Sequence, residues 1–515
     1  MAHARRREYR GDTSTAGAPL RAVVALSLAL AAGIIALAAA AGLTGSIAAA
    51  IAIAVLAAAV TGAVLWRHPV IALERAACSR ALLIVSGLAA IAALVQVARL
   101  AVFMVAPSQV AYSSIPWSAW ETQHSCLSAY FVAARSVDET PSVYDDSLYS
   151  LPGDPSAPRQ ARMMDRFRVD PYEYPPPFLL LPRALRLVVP DFLGNRMLWF
   201  ALNVGGILMA TLVVARRLGP AAGTRALLLS PLLWAALPTA SVLQKGNVQG
   251  LIIAMSVVAM VLFDRRRFAA GGALLAFATL SKLFPGVLLV YLLVRRQWRA
   301  LAWTSAWSAA FLLVTLIDVG WSPFASFLDH LPGLVGGEAF PAFRQPRAIA
   351  INYSLPGLAF KLGLFGVPGM GFAVAKIIGW IYTLILVLVT VLAALREPRE
   401  GREPLLWLTI ALLATLRSPF LPQAYAAFPS LWLLVLLPAV VPGGRTLLLA
   451  LLAWVALNAF IPVDSGLAPR LVAVISTLPQ AVTVAVGAAA LLVSWPRSGS
   501  LSPARLGLPP LVRPR

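Results

Sequence analysis

Long apolar stretches occur throughout this chain, and they restrict its fold more than any other feature of the sequence. Of its 515 residues, 60% are hydrophobic and 12% are charged, whereas soluble domains carry about 25% charged residues. These stretches have lengths near that of a membrane-crossing helix and are separated by short polar joints, which predicts an all-α polytopic membrane protein with about 12–14 transmembrane helices. We place the spans at residues 22–44, 46–66, 81–106, 194–215, 223–241, 248–263, 268–281, 284–294, 300–320, 369–395, 404–416, 424–441, 446–463 and 472–494.

The basic residues cluster in the short joints on one side of this arrangement. The net charge is +21. Because Lys and Arg concentrate in the cytoplasmic loops of membrane proteins, we attribute this excess to topology and expect no nucleic-acid partner. If the N-terminus is cytoplasmic and successive spans cross the membrane in opposite directions, two long segments lie outside, 107–193 and 321–368. The clusters that then lie inside are residues 5–10, Arg67 with Arg75 and Arg80, 216–217, 264–267, 295–299, 396–403 and the C-terminal tail.

The outer segment 107–193 differs in composition from the rest of the chain. It holds ten of the 21 Asp and Glu residues. Its three prolines at 175–177 exclude a membrane helix at that point, because proline lacks an N–H. Residues 120–136 place Leu127 and Tyr130 at helical spacing, which predicts an amphipathic helix on the membrane surface. We therefore expect an extracytoplasmic loop subdomain, joined to the next span by a stiff proline turn.

Several short motifs in and after this segment resemble those of one enzyme family. They read "AYFVAARS", "VYDDSLY", "YPPPFLLLP", "QKGNVQGLIIA", "LSKLFPGVLLVYLLVRRQWRA" and "INYSLPGL". In this order, over about residues 80–440, they resemble the polyprenyl-phosphate-sugar-dependent glycosyltransferases of family 87, which belong to the C-type glycosyltransferase superfamily. The resemblance implies the C-type fold and an active site on the extracytoplasmic face of the plasma membrane.

The resemblance also implies a reaction. Such enzymes move a sugar, commonly mannose or arabinofuranose, from polyprenyl phosphate to a glycan or glycolipid, with inversion in a single displacement. This chemistry needs a base for the acceptor hydroxyl and cations for the leaving phosphate. The alternative is a lipid or glycolipid transporter or flippase, which predicts internal repeats and charged residues near the midplane. We find no convincing repeat, so the enzyme is favoured.

On this interpretation the chain has three parts. Residues 1–80 form a basic cytoplasmic N-terminus and two additional transmembrane helices. Residues 81–440 form the glycosyltransferase membrane core, including both outer loops. Residues 441–515 form the last transmembrane helices and a cytoplasmic tail.

The chain departs from the family at the position of the catalytic base. The family has a carboxylate before the helix with "AYFVAARS", where this chain has Ser125 and Cys126. Glu121 and His124 are the nearest candidates, and an i, i+3 spacing places both on one face of a helix. We favour Glu121 because the family's base is a carboxylate. The reserve candidates are Asp170 and Glu173.

Cations and polar side chains within apolar segments are candidates for substrate binding, because ionisable residues there are commonly functional. Lys245 and Lys282 coincide with family motifs, whereas snorkelling to the interface would explain Arg99 and Arg417 equally well. The complete set of predicted binding residues is Arg99, Glu173, Tyr174, Gln244, Lys245, Asn247, Lys282, His330, Asn352 and Arg417.

The sequence offers no sign of a bound cofactor. It has no Walker loop, no dinucleotide fingerprint after a strand, and no clustered Cys/His metal motif. Its two cysteines, Cys78 and Cys126, fall on opposite sides of the membrane in our topology, so no disulfide is expected. Outer acidic residues could hold a divalent ion, but no spacing demands one.

Overall fold

The computed structural model describes residues 18–69, 73–74, 77–153, 160–397 and 399–495. The basic stretch 5–10, Arg75 and the C-terminal tail, on which the topology prediction partly rests, lie outside these ranges.

Helices dominate the described chain, which confirms the all-α prediction. They are α1 (Ala18–Thr44), α2 (Ile47–Arg67), α3 (Arg80–Val105), α4 (Ala119–Gln123), α5 (Cys126–Ser136), α6 (Leu180–Val188), α7 (Phe192–Arg217), α8 (Pro220–Leu229), α9 (Pro231–Ala235), α10 (Leu237–Lys245), α11 (Gln249–Asp264), α12 (Phe268–Ser281), α13 (Val287–Val294), α14 (Trp298–Val319), α15 (Ser322–Gly336), α16 (Pro346–Ala350), α17 (Gly357–Leu364), α18 (Phe372–Leu395), α19 (Glu403–Thr415), α20 (Gln423–Val440), α21 (Gly444–Leu457) and α22 (Pro469–Ser494). The strands are β1 (His124–Ser125), β2 (Met163–Met164) and β3 (Phe167–Val169).

Eight of the described helices are long and apolar enough to cross a membrane, namely α1, α2, α3, α7, α14, α18, α20 and α22. A ninth predicted span, 223–241, is not straight, because the helices on either side of Ala236 meet at 65°. Pro238 in the first turn of α10 explains the break, since its missing N–H cannot continue the preceding helix. The other predicted spans correspond to the shorter apolar helices α11, α12, α13, α19 and α21, none of which exceeds 17 residues.

Helix α20 lies at the centre of the fold. It packs against α8, α10, α19, α21 and α22, and it is buried along most of its length. By contrast, α2 packs mainly on α1 and is largely exposed within the described chain. The helices around α20 therefore form the core that positions the site, and α1 and α2 lie beside it.

The predicted surface helix over residues 120–136 is wrong. The chain forms α4, then extends through β1, and only then forms α5. The cause is a parallel pairing of β1 with β3, with β2 antiparallel to β3 on the other side. Leu127 and Tyr130 of α5 are 2% and 0% exposed, so they pack in the core of the protein rather than facing lipid.

Candidate active site

A cavity of about 710 Å³ lies where the segment 107–193 meets the breaks between the core helices. Nine of the residues predicted from the sequence line this cavity: Glu121, His124, Asp170, Glu173, Tyr174, Lys245, Asn247, Lys282 and Arg417. The lining also includes apolar side chains of α15 and α18, among them Leu331, Leu334, Val335, Leu386 and Val387. The fold thus brings nine of the predicted candidates to one cavity.

Glu121 is held in a buried ion pair. Its Oε1 lies 2.8 Å from Lys245 Nζ, and Ser241 Oγ donates to its Oε2 at 3.2 Å. Glu121 and Lys245 are 2% and 6% exposed. Their charges compensate each other away from water, as buried charges require. Both carboxylate oxygens of Glu121 therefore already accept hydrogen bonds.

The ion pair depends on a sharp turn after α10. Gly246 ends the helix with φ +69°, a conformation that favours glycine. A Cβ at this position would lie 3.2 Å from Trp199 Cδ1, whose indole Nε1 donates to the Gly246 carbonyl at 2.8 Å. The turn therefore presents Lys245 to α4.

His124 lies beside Asp170 because of the strand register. β1 pairs His124 with Arg168 and Ser125 with Val169, so Asp170 follows directly at the end of β3. The His124 Nε2 to Asp170 Oδ2 distance is 3.0 Å. Burial alone would lower the pKa of His124, but the Asp170 carboxylate opposes this and raises it to about 10.

The arrangement changes the predicted roles of Glu121 and His124. They do not share a helical face, since α4 ends at Gln123 and His124 begins a strand. His124 is an imidazolium at neutral pH, so it cannot act as the base in this state. Asp170, one of the reserve candidates, keeps 22% of its side chain exposed and lines the cavity.

Lys282 contributes a cation where α12 ends. Its Nζ donates to Gln249 Oε1 at 3.2 Å and lies 5.2 Å from the centre of the Tyr174 ring. Within the described residues, no carboxylate lies at ion-pair distance from it. The break of the apolar segment before Pro285 therefore places a lysine in the cavity wall.

Arg417 contributes a second cation from the segment between α19 and α20. Its Nε donates to Thr383 Oγ1 at 2.9 Å, and its guanidinium lies 5.8 Å from the Trp380 ring centre. Asn352 holds this segment in place, because its Nδ2 donates to the Pro419 carbonyl at 2.9 Å and its Oδ1 accepts from Leu421 N at 2.9 Å. Asn352 itself does not line the cavity.

Three further predicted binding residues also lie outside the cavity lining. Gln244 Nε2 donates to the backbone carbonyl of Glu121 at 2.7 Å, so it helps to hold α4 in place. Arg99 donates to the carbonyls of Ala111 and Ser113, at 3.1 and 2.9 Å, and secures the chain after α3. His330 stacks on Tyr144 with ring centres 5.0 Å apart, and burial lowers its pKa.

Tyr174 forms part of the wall under Lys282. Its hydroxyl lies 2.8 Å from that of Tyr130, and its carbonyl accepts from Tyr144 Oη at 2.8 Å. The 3-10 helix Pro176–Leu179 that follows is buried, so the proline turn fixes this ring rather than lying on the surface.

Sequence reasoning missed three residues of the site. Trp120 and Arg168 line the cavity, with the guanidinium 5.2 Å from the indole centre. Asp464, between α21 and α22, accepts from Ser118 Oγ at 2.5 Å and from Trp120 N at 2.8 Å. Asp464 is the only acidic residue after Glu403 in the sequence, and that isolation was a usable signal.

Comparison with known protein families gives a match to one family over part of the chain. The profile of glycosyltransferase family 87 matches residues 172–421, a region that contains Tyr174, Lys282 and Arg417. No curated protein and no solved structure matches the chain significantly. The central part of the chain, residues 172–421, is therefore similar to glycosyltransferase family 87, which supports glycosyltransferase activity, and eight of the described helices are long and apolar enough to cross a membrane.

Proposed function

We propose that the protein transfers a sugar, of the mannose or arabinofuranose type, from polyprenyl phosphate to a glycan or glycolipid. The transfer takes place on the extracytoplasmic face of the plasma membrane. One observation supports this proposal: a single cavity combines apolar side chains with Lys282 and Arg417, neither of which has a carboxylate at ion-pair distance among the described residues. A phosphate attached to a lipid chain needs cations for the phosphate and apolar side chains for the lipid.

Lys282 and Arg417 are the proposed phosphate ligands. When the bond between the anomeric carbon and the phosphate oxygen breaks, the phosphate changes from a diester with one negative charge to a monoester with two. Cations fixed at that position stabilise the charge that develops in the transition state. Lys245 is a weaker candidate, because Glu121 already neutralises it at 2.8 Å. The apolar side chains of α15 and α18 suit the prenyl chain.

Asp170 is the proposed base. The acceptor hydroxyl attacks the anomeric carbon, its proton passes to the Asp170 carboxylate, and polyprenyl phosphate leaves from the opposite side. One displacement of this kind inverts the anomeric centre. His124 orients Asp170 through the 3.0 Å contact and is a positioning residue. Glu121 supports the wall through Lys245 and does not take the proton.

The proposal is tested with membranes that contain the protein and a panel of radiolabelled donors. Polyprenyl-phosphate mannose and polyprenyl-phosphate arabinofuranose are compared with the matching nucleotide sugars. We expect label to reach a glycan or glycolipid from a polyprenyl-phosphate donor only. Transfer from nucleotide sugars would contradict the donor class. Movement of intact labelled lipid across vesicles without transfer would instead support the flippase alternative.

A further inference from the structure

Three side chains in the cavity wall bring metal-ligating atoms together. One donor atom each from His124, Cys126 and Asp170 lie within 4.8 Å of one another. His124 Nε2 is 3.0 Å from Asp170 Oδ2 and 3.5 Å from Cys126 Sγ. Residues 124 and 126 belong to one stretch of chain, and the strand pairing of β1 with β3 adds Asp170. No sequence spacing could have predicted this group.

Two of the three distances between the donor atoms are close to those around a small tetrahedral ion. Zinc binds histidine nitrogen, carboxylate oxygen and cysteine sulfur at about 2.0–2.3 Å, so two ligands at a tetrahedral angle lie about 3.3–3.7 Å apart. The Nε2 to Sγ distance of 3.5 Å already has this value. The Nε2 to Oδ2 distance of 3.0 Å would open by a few tenths of an ångström once an ion replaced the shared proton.

Two polar side chains lie close to the Cys126 sulfur. Tyr425 Oη lies 3.1 Å from Cys126 Sγ, and Asn247 Nδ2 lies 3.5 Å from it. The orientation of the Asn247 amide is fixed, because its Oδ1 accepts from Gln249 N at 2.9 Å and its Nδ2 must then face the sulfur. Cys126 is also the first residue of α5.

We propose that His124, Cys126 and Asp170 bind one transition-metal ion of the Zn²⁺ class. Thiolate and imidazole ligands select such ions over Mg²⁺ and Ca²⁺, which prefer oxygen. The three residues line the cavity, so the fourth position of the ion faces the substrate space. The protons on Nε2 and on the thiol leave to solvent as the ion binds. Tyr425 and Asn247 would donate hydrogen bonds to the sulfur that binds the ion.

This site shares Asp170 with the proposed transfer reaction. An ion held by the Asp170 carboxylate competes with the proton that this group would accept, so occupancy is expected to inhibit transfer. Only that consequence rests on the proposed function. Metal binding itself is measured without any sugar, so failure of one proposal is distinguishable from failure of the other.

The test uses the full chain, purified in detergent, stripped with a chelator and then titrated with Co²⁺. Cobalt replaces zinc in such sites and gives a thiolate-to-metal charge-transfer absorption when a cysteine is a ligand. We expect one equivalent to bind with this absorption, and Zn²⁺ but not excess Mg²⁺ to abolish it. Cys78 is the matched control, because it is the only other cysteine. Cys78→Ser should bind as the wild type does.

Cys126→Ser should lose the charge-transfer absorption and weaken binding by about tenfold or more, since it removes a ligand. Asp170→Asn leaves the sulfur in place, so it should weaken binding while the absorption persists at saturating Co²⁺. Size-exclusion profiles and thermal unfolding establish that both variants are folded. Absence of the absorption in the wild type, or its persistence in Cys126→Ser, overturns the proposal.

Discussion

At the scale of single residues, the carboxylates of the cavity differ in what neutralises them. Glu121 is paired with a lysine and accepts hydrogen bonds at both oxygens. Asp170 contacts an imidazole through Oδ2 and keeps part of its side chain exposed to the cavity. A base must reach the acceptor hydroxyl and have room for its proton. The difference in surroundings therefore selects Asp170.

Asp170→Asn should reduce transfer by about 10²–10⁴-fold, the usual contribution of a general base. Donor binding should change little, because Lys282 and Arg417 remain. The measurement is sugar transfer in reconstituted vesicles beside donor binding by the purified protein. Glu173→Gln is the matched control, since Glu173 lines the same cavity and should lose less activity. Undiminished turnover by Asp170→Asn would remove this residue from the reaction.

Lys282→Met should weaken binding of a polyprenyl-phosphate sugar, because it removes a positive charge from the cavity wall, where no carboxylate of the described residues lies at ion-pair distance from Lys282. A charge-assisted contact to phosphate contributes about 1.5–3 kcal/mol, so the Kd should rise by about 10- to 150-fold. Lys376→Met is the control, as Lys376 is half exposed and paired with Glu338 at 2.6 Å. Equal donor affinity in the two variants would move the phosphate site towards Lys245 or Arg99.

The pKa of His124 predicts a dependence of stability on pH. This pKa rises from 6.5 to about 10 on folding. A group whose pKa is raised contributes all its stability below the unfolded value and loses it as pH rises through the folded value. The unfolding temperature of the wild type should therefore exceed that of His124→Gln most at pH 6, and the gap should narrow towards pH 10. The groups that face His124 are Asp170 and Cys126. A gap that widens with pH would contradict the ion pair.

Some residues of the cavity could be selected from the sequence because the signal depends only on local chemistry. A lysine or arginine inside an apolar stretch is conspicuous, and Lys282 and Arg417 do line the cavity. The pairing of Glu121 was not predictable, because its partner Lys245 lies 124 residues away in the sequence. Which carboxylate is neutralised is a property of the folded chain, and the sequence could therefore name the candidates without ranking them.

At the scale of elements, the ion pair of Glu121 and Lys245 joins α4 to α10. Glu121→Gln would leave the buried Lys245 charge without compensation, and breaking such a pair costs about 3–5 kcal/mol. We expect a marked drop in unfolding temperature in detergent. Replacing both residues, as Glu121→Gln with Lys245→Met, should recover much of this loss because no unpaired charge remains.

The two variants and Lys245→Met complete a double-mutant cycle, which isolates the coupling between the two side chains. Additive effects of the single changes would show that the pair contributes nothing to joining α4 and α10. Ser241, which also donates to Glu121 at 3.2 Å, is unchanged in every variant.

Element boundaries were predictable wherever the apolar pattern alone decides them. The predicted spans 81–106 and 369–395 correspond closely to α3 (Arg80–Val105) and α18 (Phe372–Leu395). The short elements 119–136 were not predictable, because the register of β1 on β3 depends on a strand more than 40 residues further along the chain. The helical spacing predicted within residues 126–136 was correct, because this segment forms α5. The apolar residues of α5 are buried in the protein core and do not lie on the membrane surface.

At the scale of the whole molecule, the orientation in the membrane remains a prediction from the Arg clusters. Single cysteines are introduced at Gly153, which is exposed in the loop 107–193, and at Gln297, which is exposed before α14. The background carries Cys78→Ser and Cys126→Ser. A membrane-impermeant maleimide should label position 153 in intact cells and position 297 only after permeabilisation. The opposite pattern would reverse the orientation and place the cavity in the cytoplasm.

The pairing of β1 with β3 has a consequence for how such enzymes diversify. The proposed phosphate ligands come from breaks between core helices inside the family-matched region 172–421, whereas Asp170 and His124 precede it. Two parts of the chain therefore meet at one cavity. If the proposed function holds, one part faces the lipid donor and the other faces the acceptor. Substitutions in the segment before residue 172 would then change which acceptor hydroxyl is presented and leave the choice of donor unchanged.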